Sequence, residues 1–192
     1  KIVGKDCKIS GMTATMIDTE ALSKSEVAIY VIIAVVLVTI VLQLSLDSFA
    51  APIFMLLNIG MCVVYNMGTN VLQGQISYIT QSISAVLQLG VTMDFSIFLY
   101  YSFLHQKETG KSSDEAMTHA IAETFTSVAG SSLTTIAGFL ALCSMNLTLG
   151  RDIGIVMAKG VLLGVIGVVT ILPAFILCFE KIIEKTKHKN VF

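Results

Sequence analysis

One uncharged run constrains this 192-residue chain more than any other feature, because no Asp, Glu, Lys or Arg occurs from Ser48 to Met93. An α-helix needs about 20 apolar residues to cross the roughly 30 Å of hydrocarbon in a bilayer. Charged residues make up only 13% of the chain, compared with about 25% in soluble domains, and the mean hydropathy is +0.84. The sequence therefore predicts a membrane protein.

Apolar runs of sufficient length recur along the chain and predict five transmembrane helices. These spans are residues 27–46, 49–72, 79–104, 124–145 and 153–179. The pattern Ser112-x-x-Glu115 fits a capping box and predicts a short amphipathic cytoplasmic helix at 112–123. The predicted fold class is therefore all-α: a polytopic membrane helix bundle of five transmembrane helices plus this short helix.

The two ends of the chain are more polar than its middle. Residues 1–25 predict the end of an extracytoplasmic domain that leads into the first span, with a helix entry at Ser23–Glu26. Residues 180–192 form a basic tail, and the connector after the third span carries Lys107 and Lys111. The positive-inside rule makes that side cytoplasmic. We therefore expect a multi-pass protein of the cell membrane, with its N-terminal end outside and its tail in the cytoplasm.

Several classes of function find no support in the sequence. The net charge is −1 and no basic stripe with interleaved aromatic residues is present, which argues against a nucleic-acid partner. The four cysteines show neither a CxxC pair nor the spacing of a metal site. No Ser–His pair, P-loop or haem site is present. We therefore expect no enzyme activity, no metal and no other cofactor, and ATP is not the expected energy source.

Asp94 is the only formal charge in the predicted third span, 79–104. A carboxylate at that depth costs several kcal/mol unless it is paired, reached by water or protonated. Such a residue indicates a functional site, although a permanently neutral Asp that joins helices by hydrogen bonds is the structural alternative. Burial among hydroxyl groups disfavours the ionised form, so Asp94 is a candidate to load and release a proton.

The depth of Asp94 can be compared with that of other polar residues, because a helix rises 1.5 Å per residue. Asp94 lies roughly 15 Å from the inner end of its span. By the same count a supporting polar layer shares its level: Asn58, Thr134, Thr135 and Thr170. Hydrogen bonds of these side chains to carbonyls of their own helices are the alternative. Lys159 lies roughly 30 Å from the inner end, so a direct pair with Asp94 is not favoured.

The residues around Asp94 resemble a family signature. The run Gly90–Leu99, GVTMDFSIFL, resembles the G-x-x-x-D-Y-x-x-F-L signature of MMPL-type transporters in the resistance–nodulation–division superfamily. A charged connector follows, and then Ala122–Leu142, Gly150–Gly164 and Ile171–Phe175 resemble later family motifs in the same order. The resemblance covers nearly the whole chain.

This resemblance implies a larger protein with two repeats, each with one span, a large extracytoplasmic domain and five more spans. The chain would then be the last five spans of the first repeat. Its implied partners are the lipid bilayer, the second repeat and extracytoplasmic domains of the same protein, protons, and a lipid or other hydrophobic substrate. Asp94 takes the place of the family's proton relay, with Gly90, Phe95 and Lys159 as motif neighbours. Phe95 replaces the usual Tyr and so removes a hydroxyl.

Three functions remain to be compared. The first is half of an exporter driven by the proton-motive force. The second is a sterol-sensing-like or scaffold membrane domain on the same fold, without proton coupling. The third, an intramembrane aspartyl protease, needs two facing carboxylates and a Gly-x-Gly-Asp run. Only Asp94 is available in the predicted spans, and Gly90 stands four residues before it, so the protease is not favoured.

Overall fold

The structure is a computed structural model that describes residues 11–70 and 77–186. Within these ranges the chain forms six α-helices and no strand. They are α1 (Met12–Ser45), α2 (Ala51–Thr69), α3 (Tyr78–Glu108), α4 (Ser113–Leu142), α5 (Thr148–Cys178) and α6 (Glu180–Lys185).

The lengths and compositions of these helices confirm the all-α polytopic fold. Within the described residues, four helices are long and apolar enough to cross a membrane: Ala51–Thr69, Ile79–Glu108, Ser113–Leu142 and Thr148–Cys178. A shorter apolar stretch, Ile29–Ser45, forms the second half of α1 and coincides with the first predicted span. The uncharged runs of the sequence therefore correspond in order to α1–α5.

Two helix starts, those of α1 and α4, differ most from the sequence prediction. α1 begins at Met12 and not at Ser23–Glu26, because residues 12–26 contain no Gly or Pro that would interrupt a helix. The stretch 112–123, predicted as a separate amphipathic helix, forms the first turns of α4. The reason is the same, because no Gly or Pro occurs between Ser112 and Gly130 to interrupt the helix. Residues 1–10 and 187–192, which are part of the predicted polar ends, lie outside the described ranges.

The predicted capping box at the start of α4 is confirmed. The Ser112 hydroxyl accepts a hydrogen bond from the Glu115 backbone N–H at 3.4 Å, and the Glu115 carboxylate accepts one from the Ser112 N–H at 3.3 Å. Asp114 and Glu115 also place negative charge in the first turn, where the helix dipole favours it. These interactions determine where α4 begins.

We expect Ser112→Ala to destabilise the first turn of α4 by about 1 kcal/mol, because an N-terminal backbone donor loses its acceptor. Hydrogen exchange at the amides of residues 113–116 measures the effect as faster exchange. Thr118→Ala is the control, since the Thr118 hydroxyl only donates to the Asp114 carbonyl of its own helix. Equal protection of these amides in both variants would contradict the prediction.

α5 lies against α2, α3 and α4, and its glycines allow the close approach. A Cβ on Gly154 would lie 2.5 Å from the Phe139 carbonyl oxygen of α4. The other contact glycines meet α2 and α3: Gly160, Gly164 and Gly167. Small residues of this kind let membrane helices pack backbone to backbone. Gly160 and Gly164, which are spaced as a GxxxG pair, therefore form part of a packing surface.

Polar contacts join α6 to the α3–α4 turn. Lys107, near the end of α3, donates to the carboxylates of Glu180 and Glu184. The Ser113 hydroxyl at the start of α4 donates to Glu180 at 2.6 Å. Because successive helices run in opposite directions, the α1–α2 turn lies at this end too. We call it the α6 end of the bundle.

The α1–α2 turn is held at the α6 end by its own contacts. The Ser48 hydroxyl, which is fully buried, donates to the Ile183 carbonyl at 2.9 Å. The Phe54 ring of α2 stacks on Phe179 with ring centroids 4.7 Å apart. The α1–α2 turn and the start of α2 therefore contact the end of α5 and α6, and the α3–α4 turn contacts α6.

Candidate functional site

α3 presents two polar faces in different directions. Gln88, Thr92 and Ser96 recur every four residues and are buried, so they share the face that packs inside the bundle. Asp94 stands midway along α3 on another face and is exposed at the surface of the described bundle. Within the described residues its carboxylate makes no hydrogen bond or ion pair.

Asp94 lines a groove between α3 and α4, which has a volume of about 430 Å³. The side chains that line this groove, which we call the Asp94 groove, are Val91, Asp94, Phe95, Phe98, Ser127, Val128, Ser131 and Thr135. Asp94 supplies the polar group from α3, whereas α4 supplies three hydroxyls. These hydroxyls stand four residues apart and therefore form one stripe along α4.

The three hydroxyls direct their protons to their own helix. Ser131 donates to the Val128 carbonyl at 3.1 Å, and Thr135 donates to the Ser131 carbonyl at 2.9 Å. Ser127 donates to the Glu123 carbonyl at 3.5 Å. A hydroxyl that donates still has lone pairs that accept, so the groove offers hydroxyl acceptors beside one carboxyl group. A protonated Asp94, or a water molecule, finds hydrogen-bond acceptors there.

The structure brings only part of the predicted polar layer to Asp94. Thr135 lines the same groove. Thr134 and Thr170 are exposed elsewhere and donate to carbonyls of their own helices, those of Ser131 and Ile166. Asn58 is fully buried on the side of α2 that faces α5, and its amide has no hydrogen-bond partner among the described residues. Thr135 is thus the predicted layer residue that lies with Asp94 in the groove.

The three motif neighbours of Asp94 have different environments. Phe95 lines the groove but is only 8% exposed and belongs to the hydrophobic core. Gly90 is exposed, and a Cβ at that position would meet nothing within 4 Å. Lys159 of α5 is half-buried and donates to the Asn70 side-chain oxygen near the end opposite α6. Lys159 therefore has a partner other than Asp94, as its depth in the sequence indicates.

The sequence model of the MMPL family matches residues 3–190. The chain belongs to the MMPL family. It is 28% identical over 173 residues to the probable transport protein MmpL12 of Mycobacterium tuberculosis, which covers 88% of this chain and 15% of that protein. It is 35% identical over 95 residues to the putative membrane protein MJ1562 of Methanocaldococcus jannaschii, which covers 50% of this chain and 24% of that protein.

A third relative of this MMPL chain is the putative membrane protein ActII-3 of Streptomyces coelicolor, 24% identical over 187 residues. That match covers 93% of this chain and 26% of the relative. The chain thus spans about a quarter or less of the length of these curated relatives. No solved structure matches the chain. The family and the apolar helices together show a multi-pass membrane protein.

A second polar cluster of this MMPL chain was not predicted. The Asn66 amide of α2 donates to the Gln88 side-chain oxygen at 2.8 Å and to the Val156 carbonyl at 3.3 Å. Gln88 in turn donates to the Gly160 carbonyl of α5 at 3.2 Å. Both amides are fully buried, and such hydrogen bonds join helices in a membrane. The signal available in the sequence was an Asn and a Gln inside apolar runs, together with the glycine at 160.

Proposed function

We propose that this chain is part of a membrane transporter driven by the proton-motive force, which exports lipids or other hydrophobic compounds and uses Asp94 as its intramembrane proton relay. Membership in the MMPL family supports a transporter, and one relative is named a probable transport protein. The observation that carries the proposal is the Asp94 groove, where one carboxyl group midway along α3 lies beside three hydroxyls of α4.

The chemistry of the groove suits a proton relay. An ionisable side chain within the membrane that faces a polar cavity is typical of a proton path. The neutral carboxylic acid tolerates apolar surroundings, whereas the carboxylate needs water or hydrogen-bond donors. The two protonation states of Asp94 therefore favour different environments, and a proton gradient biases the equilibrium between two arrangements of the helices.

A second transmembrane repeat of the same protein would cover the Asp94 groove. Asp94 is exposed at the surface of the described bundle, midway along α3, and direct contact with lipid at such a position in a transmembrane helix is unfavourable for a carboxylate. The matched stretches make up only 24%, 15% and 26% of the three curated relatives, which leaves room in such proteins for a further repeat and for extracytoplasmic domains. We place the protein in the cell membrane with the α6 end in the cytoplasm.

Thr134 and Thr135 provide a matched test of the groove. Both hydroxyls donate to the Ser131 carbonyl, at 2.8 and 2.9 Å, but only Thr135 lines the groove with Asp94. We expect Thr135→Val to slow proton-driven efflux severalfold and Thr134→Val to leave it unchanged. Efflux of Nile red, a hydrophobic dye, from cells that express the full-length protein measures the rate after energisation.

Dissipation of the proton gradient separates the proposed transporter from the alternative without proton coupling. A protonophore should stop Nile red efflux through the wild-type protein. A sterol-sensing-like or scaffold domain would bind its ligand equally with and without the gradient. Equal efflux by the two threonine variants, or efflux that persists with the protonophore, would argue against the proton relay in the Asp94 groove.

A further inference from the structure

We propose that Lys159 binds the phosphate of an anionic phospholipid whose acyl chains lie along the exposed side of α5. The site belongs to the leaflet at the end of the bundle opposite α6. It goes beyond the proposed transport function, because it uses neither Asp94 nor the Asp94 groove. Lys159 is the only Lys or Arg of α5 after the first turn of that helix, and it is half-buried.

Lys159 has no negatively charged partner among the described residues. Its ammonium donates to the side-chain oxygen of Asn70, which is a neutral amide. No Asp or Glu occurs between Asp47 and Asp94, so neither α2 nor the connector that follows it carries a carboxylate. Asp152, the nearest acid along α5, lies seven residues earlier, roughly 10 Å along the axis. A half-buried charge is stabilised by a partner of opposite charge, and the described residues provide none there.

The hydrogen-bonding capacity of the ammonium suits a phosphate. A lysine ammonium carries three N–H donors, and Asn70 accepts from one of them. Phosphate oxygens accept charge-assisted hydrogen bonds from such donors, and basic sites between transmembrane helices bind lipid headgroups in this way. A phosphate on Lys159 therefore supplies both the missing acceptors and the missing negative charge.

Contacts between helices place the ammonium at the depth of lipid headgroups. The Asn66 amide of α2 donates to Gln88 of α3, so these two residues share a level, roughly 9 Å along α3 from Asp94. Asn70 lies four residues further along α2, about 6 Å. Asp94 itself is roughly 15 Å from the inner end of its span, and the hydrocarbon of a bilayer is about 30 Å thick. The Lys159 ammonium, which meets Asn70, therefore reaches the membrane boundary opposite α6.

The side of α5 that carries Lys159 also offers a surface for acyl chains. Leu162 and Ile166 follow Lys159 at three and seven residues, so the three side chains share one face of the helix. The two apolar side chains are 52% and 48% exposed. This apolar stripe leads from a cation at the membrane boundary towards the middle of the bilayer, which matches an amphipathic molecule with an anionic head.

The position of α5 in the bundle leaves this stripe to lipid. α5 packs against both α3 and α4, and the Asp94 groove lies between those two helices. The exposed side of α5 is therefore on the side of the bundle away from the groove. A second repeat that covers the groove leaves the stripe uncovered, and a domain outside the hydrocarbon does not extend down to Ile166.

The test titrates the purified full-length protein in detergent with dioleoyl phosphatidylglycerol and counts the bound lipid by native mass spectrometry. Dioleoylglycerol, which has the same chains and no phosphate, is the reference lipid. We expect the wild-type protein to bind the phospholipid about tenfold more tightly than the reference, the factor expected for one hydrogen bond to a charged group. Lys159→Gln should remove most of this preference, whereas Lys159→Arg should keep it.

Two controls tie the preference to this site. Lys181→Gln removes the same charge from an exposed position on α6 and should leave the preference unchanged. A phosphatidylglycerol with a diazirine in its acyl chain locates the site in the wild-type protein without any substitution. Illumination should label the α5 peptide that contains Leu162 and Ile166.

Three outcomes would overturn the inference. One is an equal preference for the phospholipid in the wild-type and Lys159→Gln proteins, which, with a lower unfolding temperature of the lipid-free variant, would assign Lys159 to a carboxylate outside this chain. Another is diazirine labelling that misses α5. The third is displacement of the phospholipid by an equal concentration of glycerol phosphate, which would make the site one for free phosphate. None of these outcomes bears on Asp94, so the proposed relay stands or falls separately.

Discussion

Asp94→Asn is expected to abolish proton-driven transport and to leave the protein folded in the membrane. The amide has nearly the size and shape of the carboxyl group but does not take up a proton at physiological pH. Within the described residues the Asp94 carboxylate holds no other side chain in place, and it is exposed in the Asp94 groove. Its replacement therefore removes an ionisable group and breaks no hydrogen bond or ion pair among the described residues. The expected loss of transport is complete, because no other formal charge lies between Asp47 and Lys107.

Nile red efflux and thermal unfolding of the purified full-length protein check the two halves of this prediction separately. Asp152→Asn is the matched control, since Asp152 stands in the first turns of α5, at the end of the bundle away from α6. This control should transport normally. Transport at the wild-type rate by Asp94→Asn would favour the domain without proton coupling. Asp94→Glu should keep partial activity, because the longer carboxyl group still takes up a proton but is displaced in the groove.

The sequence predicted the order of the helices because hydrophobicity alone determines which runs enter a bilayer. The start of α4 was also predictable, since Ser112 and Glu115 carry a capping pattern that depends only on local spacing. Helix starts that lack such a local signal could not be predicted from the sequence. The polar residues 12–26 contain no helix breaker, and α1 continues through them, although their composition suggested the end of another domain.

The depth count predicted which residues share a level with Asp94 but not which face of the bundle they occupy. Thr135 faces the Asp94 groove, whereas Asn58 lies towards Gly167 on α5. Depth follows from the rise per residue, and a count from either end gives it. The direction of a side chain around its helix axis depends on which helices are neighbours, and that is decided by packing between distant parts of the chain.

The buried Asn66–Gln88 pair was missed for a related physical reason. An amide inside an apolar run has no periodic signal of its own, and its partner in α5 includes a backbone carbonyl, that of Gly160. Every residue carries such a carbonyl, so the sequence does not distinguish this one. The local clue is the glycine, which brings the α5 backbone close enough for the Gln88 amide to reach it.

The packing of α5 gives the largest expected effect on stability. We expect Gly154→Ala to lower the free energy of unfolding by about 1–3 kcal/mol, the usual range for an overpacked core. The added Cβ would lie 2.5 Å from the Phe139 carbonyl oxygen and 2.9 Å from the Cys143 sulfur. A backbone oxygen cannot rotate away as a side chain does, so α4 and α5 must separate. Thermal unfolding of the purified protein in detergent measures the loss.

Two comparisons make this prediction specific to contact between helices. Gly138→Ala, on α4, adds a Cβ with nothing within 4 Å and should be neutral or stabilising, because Ala favours a helix over Gly by about 1 kcal/mol. Gly164→Ala should destabilise through the Thr92 hydroxyl, 2.5 Å from the added Cβ, and Thr92→Ala should rescue it. No such rescue is expected for Gly154→Ala, since its nearest neighbour is backbone. If the Gly154→Ala and Gly138→Ala variants unfold at the same temperature, α4 and α5 do not pack as closely at Gly154 as described here.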